Sequence, residues 1–226
     1  MRRKFIKFFA LFFCMKEGVY TEVETEAFLT RFVPVAPHVL TKSIFDGEKA
    51  ARKIGFPLVL KIISPDAIHK SEVHGVRLVK NHIDFAHEYK ELEEIARKKK
   101  LHLEGILVQE FIRGKSLILG LKKDAVFGHV LVFGIGGIYT ELLRDVSFRV
   151  CPITEKDAEE MIGELKMHAI LSGFRGSHAV DAAVLKKTMV AVSRIPSKHP
   201  EIQEMDINPF VIYDKKGFVV DARMRV

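Results

Sequence analysis

From Thr21 onward the chain alternates segments of helical period with short apolar runs, and Gly or Pro punctuates many of the joins. That alternation restricts the fold to a mixed class, α/β or α+β. Residues 22 to 32 read as a short helix. Ser43 caps a second helix that runs to about Ile54, where Gly55 ends it and Pro57 forbids continuation. Leu58 to Ile63 then forms a buried strand. A long helix spans about Asp84 to Lys100, and strands follow at Ile106–Gln109, Leu117–Leu121, His129–Phe133 and Val146–Val150. Thr154 with Asp157 approximates a capping box, ahead of Ala158, Met161, Ile162 and Leu165 at helical spacing. Asp181 opens another helix with Val184, Leu185, Thr188, Met189 and Val192 inside. The chain ends in a hairpin, Ile202–Val211 and Phe218–Asp221, whose four-residue turn would pair Tyr213 with Phe218.

A chain of 226 residues fits one large domain or two small ones that share a cleft. Its 48% hydrophobic and 29% charged content excludes disordered and fibrous classes. Two cysteines, Cys14 and Cys151, make neither a disulfide framework nor a zinc cluster, which places the protein in a reducing, cytoplasmic setting. The net charge of +7 leaves nucleic acid, membrane surfaces and anionic small molecules open as partners. The densest basic run, Arg97 to Lys100, closes a helix where cations complement the dipole, and no aromatic residues interleave with it as a base-stacking surface would need. Residues 1 to 15 start basic and turn apolar like a secretory leader. Lys7 interrupts the run, no Ala-x-Ala site follows, and a spanning helix needs about 20 apolar residues. The expectation is a misassigned start with Met15 as the natural initiator, and no other segment reads as membrane-spanning.

Four groups carry chemistry. Lys61 lies inside the apolar run Leu58–Ile63, where an unpaired ammonium is costly; it either snorkels from an edge strand or points at an anion such as a nucleotide phosphate. Phe133-Gly134-Ile135-Gly136-Gly137 follows a strand, and its glycines either make a tight turn or let backbone amides approach an anion. Glu204, Asp206 and Asn208 alternate on one strand face, with Asp221 nearby across the hairpin, one diagonal step from Asn208. This is either a solvated edge or an all-oxygen site suited to a hard cation such as Mg²⁺. His69, in the loop His69-Lys70-Ser71, is either a surface residue or a nucleophilic phosphate acceptor.

Taken in order, Phe56-Pro57-Leu58-Val59-Leu60-Lys61-Ile62, His69-Lys70-Ser71-Glu72-Val73, Val108-Gln109-Glu110-Phe111, the glycine run at 133–137, Phe174-Arg175-Gly176 and Glu204-Met205-Asp206-Ile207-Asn208-Pro209 resemble the ATP-grasp domain of the ADP-forming acyl-CoA synthetases. The similarity is greatest to the separate β subunits of archaeal acetate–CoA ligases, and covers about residues 21 to 226. The resemblance implies an ATP-grasp fold: an N-terminal extension over 1–20, a smaller lobe over 21–108 and a larger lobe over 109–226 that grip MgADP or MgATP. It implies that Lys61, Gly134, Gly136, Gly137 and Arg149 line the phosphates and that Gln109, Glu110, Phe111 and Ile112 form a hinge against the adenine. It further implies that Asn208, Asp221 and Asp206 hold Mg²⁺ and that His69 relays a phosphoryl group. The partner implied is an α subunit bearing the CoA site and its own catalytic histidine, in an α2β2 assembly without nucleic acid or membrane. The reaction would be acyl-CoA + ADP + phosphate giving acid + ATP + CoA. A succinate-specific ligase and a basic nucleic-acid-binding protein are the alternatives. Three positions depart from the family pattern: Ser116 where relatives carry glutamate, His74 where they carry glycine, and His178 where they carry proline.

Overall fold

The computed structural model describes residues 15, 17–67, 70, 73–136, 145–173 and 179–226. The leader segment 1–14 and the expectation of a misassigned start fall outside the described residues, as do His69, Gly137, His178 and the Phe174-Arg175-Gly176 motif.

Two antiparallel sheets organise the chain. The smaller is four-stranded: β2 (His38–Thr41), β5 (Gly105–Glu110), β3 (Leu58–Ile63) and β4 (Val76–Val79), in that order. Its outer face is covered by α2 (Ile44–Ile54) and α3 (His82–Lys98), which bury Ala50, Phe85, Tyr89 and Leu92 against Leu58, Leu60, Ile62 and Val108. Ser43 caps α2 by accepting from the Asp46 amide, and Gly55 ends it at φ 91°, a left-handed value that glycine adopts without Cβ strain. Asn81 caps α3, which starts at His82, two residues ahead of the expected Asp84.

The larger sheet has seven strands. Its order is β1 (Val19–Tyr20), β11 (Ala222–Arg225), β9 (Glu204–Tyr213), β6 (Lys115–Asp124), β7 (Gly128–Ile135) and β8 (Val146–Val150), with β10 (Lys216–Val219) beside the far half of β9. Helices α4 (Glu155–Glu164) and α5 (Ala182–Ser193) pack on one face, burying Ala158, Met161, Leu185, Met189 and Val192 against Leu119, Leu131, Phe133 and Met205. Thr154 and Asp157 form the capping box of α4, and Asp181 caps α5 through the amides of Ala183 and Val184. The chain crosses from one sheet to the other at residues 111–114, between β5 and β6.

Two expectations are corrected. The smaller sheet's unit begins at His38 and not at residue 21. α1 (Glu22–Leu29) inserts Phe28 and Leu29 into the core of the larger sheet, β1 pairs with β11, and the link after α1 zips onto β10 through Val35 and Ala36. The hairpin is also tighter than a four-residue turn allows. Tyr213 pairs with Lys216 across Asp214-Lys215, with Asp214 at φ 51°, so every partner shifts. Arg223 consequently faces Asp206, and Asn208 lies directly opposite Asp221, its amide donating to the Asp221 carbonyl at 3.0 Å.

Candidate nucleotide cleft

The site forms where α1 wedges between the two sheets. Thr21 caps α1 in a capping box with Glu24 and so fixes the helix start. That start places Glu22 and Glu26, four residues apart, on one buried stripe of the helix, while Phe28 and Leu29 enter the core of the larger sheet. The smaller sheet presents Lys61, Gln109 and His38 to this stripe, because Leu60, Ile62 and Val108 alternate with them toward the helical core. Lys61 is therefore no snorkelling edge lysine. β3 is a central strand, the side chain is almost wholly enclosed, and its ammonium donates to Glu22 Oε1 at 2.7 Å and to the Val220 carbonyl at 2.6 Å.

Lys70 reaches the same carboxylate from the other side, pairing with Glu22 Oε2, and its Nζ lies 3.3 and 3.1 Å from the two oxygens of Asp221. Two ammonium groups and two carboxylates thus interlock at the joint. Burial pushes the Glu22 carboxyl up, but the neighbouring ammonium groups outweigh it and hold Glu22 below the usual carboxylate range. For Lys61, burial pushes down and the charges of Glu22 and Asp221 win, so its pKa is raised. Asp221 goes up, through burial first and the Glu22 charge second. One turn along α1, Glu26 is buried beside His38 Nδ1 at 3.0 Å and the Gln109 amide at 3.4 and 3.5 Å; burial pushes its carboxyl up to about 7. A cavity of about 230 Å³ opens against the cluster, lined by Glu22, Ile63, Ser64, Lys70 and Arg223 among others. A shallower hollow of about 450 Å³ at Thr41, Tyr89, Glu93 and His102 lies on the helical side of the smaller sheet, away from this chemistry.

Glu204, Asp206 and Asn208 do share the open face of β9, alternating with buried Met205 and Ile207. Desolvation first and the charge of Asp221 second raise the Asp206 pKa. The charge of Asp221 thus bears on Asp206, and Lys70 stands on Asp221 as a cation. Among the described residues, no three His, Cys, Asp or Glu side chains group closely enough to hold an ion unaided. Two carboxylates with the Asn208 amide oxygen fit a hard divalent ion that takes its remaining oxygens from phosphate and water.

Other expected site residues lie elsewhere. Arg149 alternates onto the helical face of β8, beside Leu131, where its guanidinium pairs with Glu164 at 2.5 Å and with Glu160 at 3.5 Å; it does not reach the cleft. Gly136 is a packing glycine: a Cβ there would come within 3.0 Å of the Ser116 backbone, and its amide is spent on the Ser116 carbonyl at 2.8 Å. Gly134 continues the β7 ladder between Ile118 and Val146. In the hinge, Gln109 turns its side chain to Glu26, while the amides of Glu110 and Phe111 donate to Pro37 and Pro57. Ile112 lies in the crossover between the sheets. Ser116, opposite Leu117 in the alternation, points to the cleft side of β6. His74 adopts φ 56°, a left-handed conformation that glycine would hold without Cβ strain.

The sequence offers Lys70 as a charge neutraliser beside His69 but does not single out the acidic stripe Glu22/Glu26, His38, or the place of Lys70 against Glu22 and Asp221. The signal available was a pair of carboxylates at i and i+4 directly after a capping threonine.

Residues 15–226 match the ATP-grasp domain model. The chain is 39% identical, over 85% of its length and 84% of the relative's, to the acetate–CoA ligase [ADP-forming] I subunit beta of Pyrococcus furiosus. It is 40% identical to acetate–CoA ligase [ADP-forming] I of Archaeoglobus fulgidus over 85% of this chain, which spans only 28% of that longer protein. Among solved structures, acetyl-coenzyme A synthetase 1 of Ca. Korarchaeum cryptofilum, in complex with coenzyme A and Ca-AMPCP, superposes with a TM-score of 0.89 at 41% identity, covering 94% of each chain. The same protein with Mg-AMPPCP, its phosphohistidine segment pointing towards the nucleotide-binding site, gives 0.79 over 92% of each. The two antiparallel sheets, the lysine-bearing cleft between them and these matches agree, and the chain belongs to the ATP-grasp domain family, in the group of ADP-forming acetate–CoA ligase β subunits and their longer counterparts.

Proposed function

We propose that this chain is the nucleotide-binding β subunit of an ADP-forming acyl-CoA ligase, acting with an α subunit on acyl-CoA, ADP and phosphate to give acid, ATP and CoA. The observation that carries the reading is the pair of ammonium groups, Lys61 and Lys70, converging beside Asp206, Asn208 and Asp221 at the joint of the two sheets. Phosphoryl transfer needs positioning and charge neutralisation above all, and this cluster supplies both. Lys61 and Lys70 neutralise the phosphates of ADP, while the crossover at Phe111 and Ile112 lies against the adenine. Asn208, Asp221 and Asp206 hold Mg²⁺, which when bound shields the phosphate charge.

His69 receives the phosphoryl group from the α-subunit histidine and passes it on. A terminal oxygen of ADP attacks phosphorus, the N–P bond breaks as the O–P bond forms, and the freed imidazole is ready for the next group. Support for a mobile phosphohistidine step comes from the Korarchaeum relative, whose phosphohistidine segment points toward the nucleotide. The β-subunit naming of the relatives supports a partner chain, in the α2β2 arrangement that we infer. We infer a cytoplasmic setting; no described helix is long and apolar enough to cross a membrane, and burial raises the Cys151 thiol to about 12, away from the reactive thiolate.

The test is ATP formation from ADP, phosphate and a panel of acyl-CoAs. The full chain with its α subunit should turn over, with acetyl-CoA among the substrates, and the chain alone should bind MgADP yet form no ATP. Robust turnover by the single chain, or none by the pair with any acyl-CoA, would contradict the assignment.

A further inference from the structure

The two lysines of the cleft are not equivalent. Lys61 is sealed in and holds Glu22 and a backbone carbonyl. Lys70 bridges two carboxylates, and the second, Asp221, is open to solvent on one side, with 22% of its side chain exposed. Both Asp221 oxygens lie within hydrogen-bond reach of the Lys70 ammonium. In the reading above, on which this inference rests, Asp221 is also a donor to the divalent ion. An ammonium and a dication cannot both sit against one carboxylate without strong like-charge repulsion.

We propose that Lys70 is the resident cation of the metal site: its ammonium occupies Asp221 until a divalent ion displaces it. Glu22 Oε2 is the second anchor of the same ammonium, so the displaced group stays in the cleft, within reach of the phosphates that arrive with the ion. Charge makes the exchange depend on nucleotide. Lys61, Lys70 and Arg223 balance Glu22, Asp221 and Asp206 to zero, three positive against three negative. A dication entering alone leaves two uncompensated positive charges in a partly buried site, which nucleotide phosphates cancel. The ion by itself is therefore held weakly, and metal and nucleotide load together.

The experiment is titration of the full chain with Mn²⁺ alone, without nucleotide, read by calorimetry or by the spin resonance of free Mn²⁺. Lys70→Met removes the competing ammonium and keeps the side-chain bulk. It should tighten Mn²⁺ binding about tenfold or more, the equivalent of one charge-assisted hydrogen bond released from Asp221. Arg223→Met removes an equal charge opposite Asp206 and should tighten binding by less than about threefold, since it acts only through space. Adding Asp221→Asn to Lys70→Met should abolish the gain. Lys70→Gln, which keeps a donor for Glu22, carries the same expectation should Lys70→Met not fold. Equal Mn²⁺ affinity in wild type and both Lys70 variants, with binding still lost in Asp221→Asn, would overturn the resident-cation role alone. Mn²⁺ binding indifferent to Asp221→Asn in every background would overturn the metal reading and this inference with it.

Discussion

Assembled with its α subunit, the His69→Ala chain is expected to form no ATP above background, while its MgADP affinity stays within about threefold of wild type, because the loss falls on transfer and not on binding. Nucleotide affinity on this account resides in Lys61, Lys70 and the Asp206/Asn208/Asp221 face, all of which the variant retains. Imidazole suits the carrier role because its phosphoramidate is reactive enough to pass the group on. His74→Gly is the matched control. His74 is exposed and holds φ 56°, so glycine relieves the backbone there by about 1 kcal/mol, and activity should be kept. Radiolabelled phosphate from ATP should appear on His69 as an acid-labile, base-stable adduct in the wild-type complex. Near-normal turnover by His69→Ala would move the relay elsewhere.

Lys61→Met should produce the other large effect, in two separable parts. MgADP affinity should drop by about 100-fold or more, since a desolvated ammonium facing phosphate is among the stronger charge-assisted partners. Stability should drop as well, because Glu22 loses one of its two cations while remaining buried. Breaking a buried pair from one side costs about 3–5 kcal/mol, which for a chain of this size is a fall in Tm of about 10 °C. The double variant Lys61→Met with Glu22→Gln removes the stranded charge. Its Tm should recover most of the loss while ADP affinity stays low. If affinity recovered together with Tm, Lys61 would be a structural residue and not a phosphate partner.

Much of the fold was legible because local signals agreed with it. Ser43, Thr154 and Asp181 cap the helices they announce, and Leu58–Ile63 and Val146–Val150 are strands with the expected bounds. What the sequence could not show was long-range. β1, β2 and β4 are short, and only their partners β11, β5 and β3 reveal them as strands. The hairpin register depended on a two-residue turn with a left-handed Asp214, which a run of Asp-Lys-Lys-Gly does not single out from a longer one. The site divides the same way. Lys61 announces itself as a charge in an apolar strand, and Asp206 and Asn208 by alternation on β9. Glu22 and Glu26 do not, since a carboxylate in the first turn of a helix reads as ordinary dipole complementation until the opposing sheet is in place. Arg149 was misplaced because strand alternation fixes that Phe148 and Arg149 point to opposite faces, and only the packing of α4 shows which face is the cleft.

The central claim, that the β9–β11 face and the Lys61/Lys70 cluster form one metal–nucleotide site, is tested most directly by calorimetry of ADP binding with and without Mg²⁺. Wild-type chain should bind ADP much more tightly with Mg²⁺. Asn208→Ala and Asp221→Ala should each remove most of that magnesium-dependent gain and leave metal-free binding within about threefold, since each deletes one oxygen donor to the ion. Equal losses with and without Mg²⁺ would show that Asn208 and Asp221 serve only to build the hairpin, and would contradict the account.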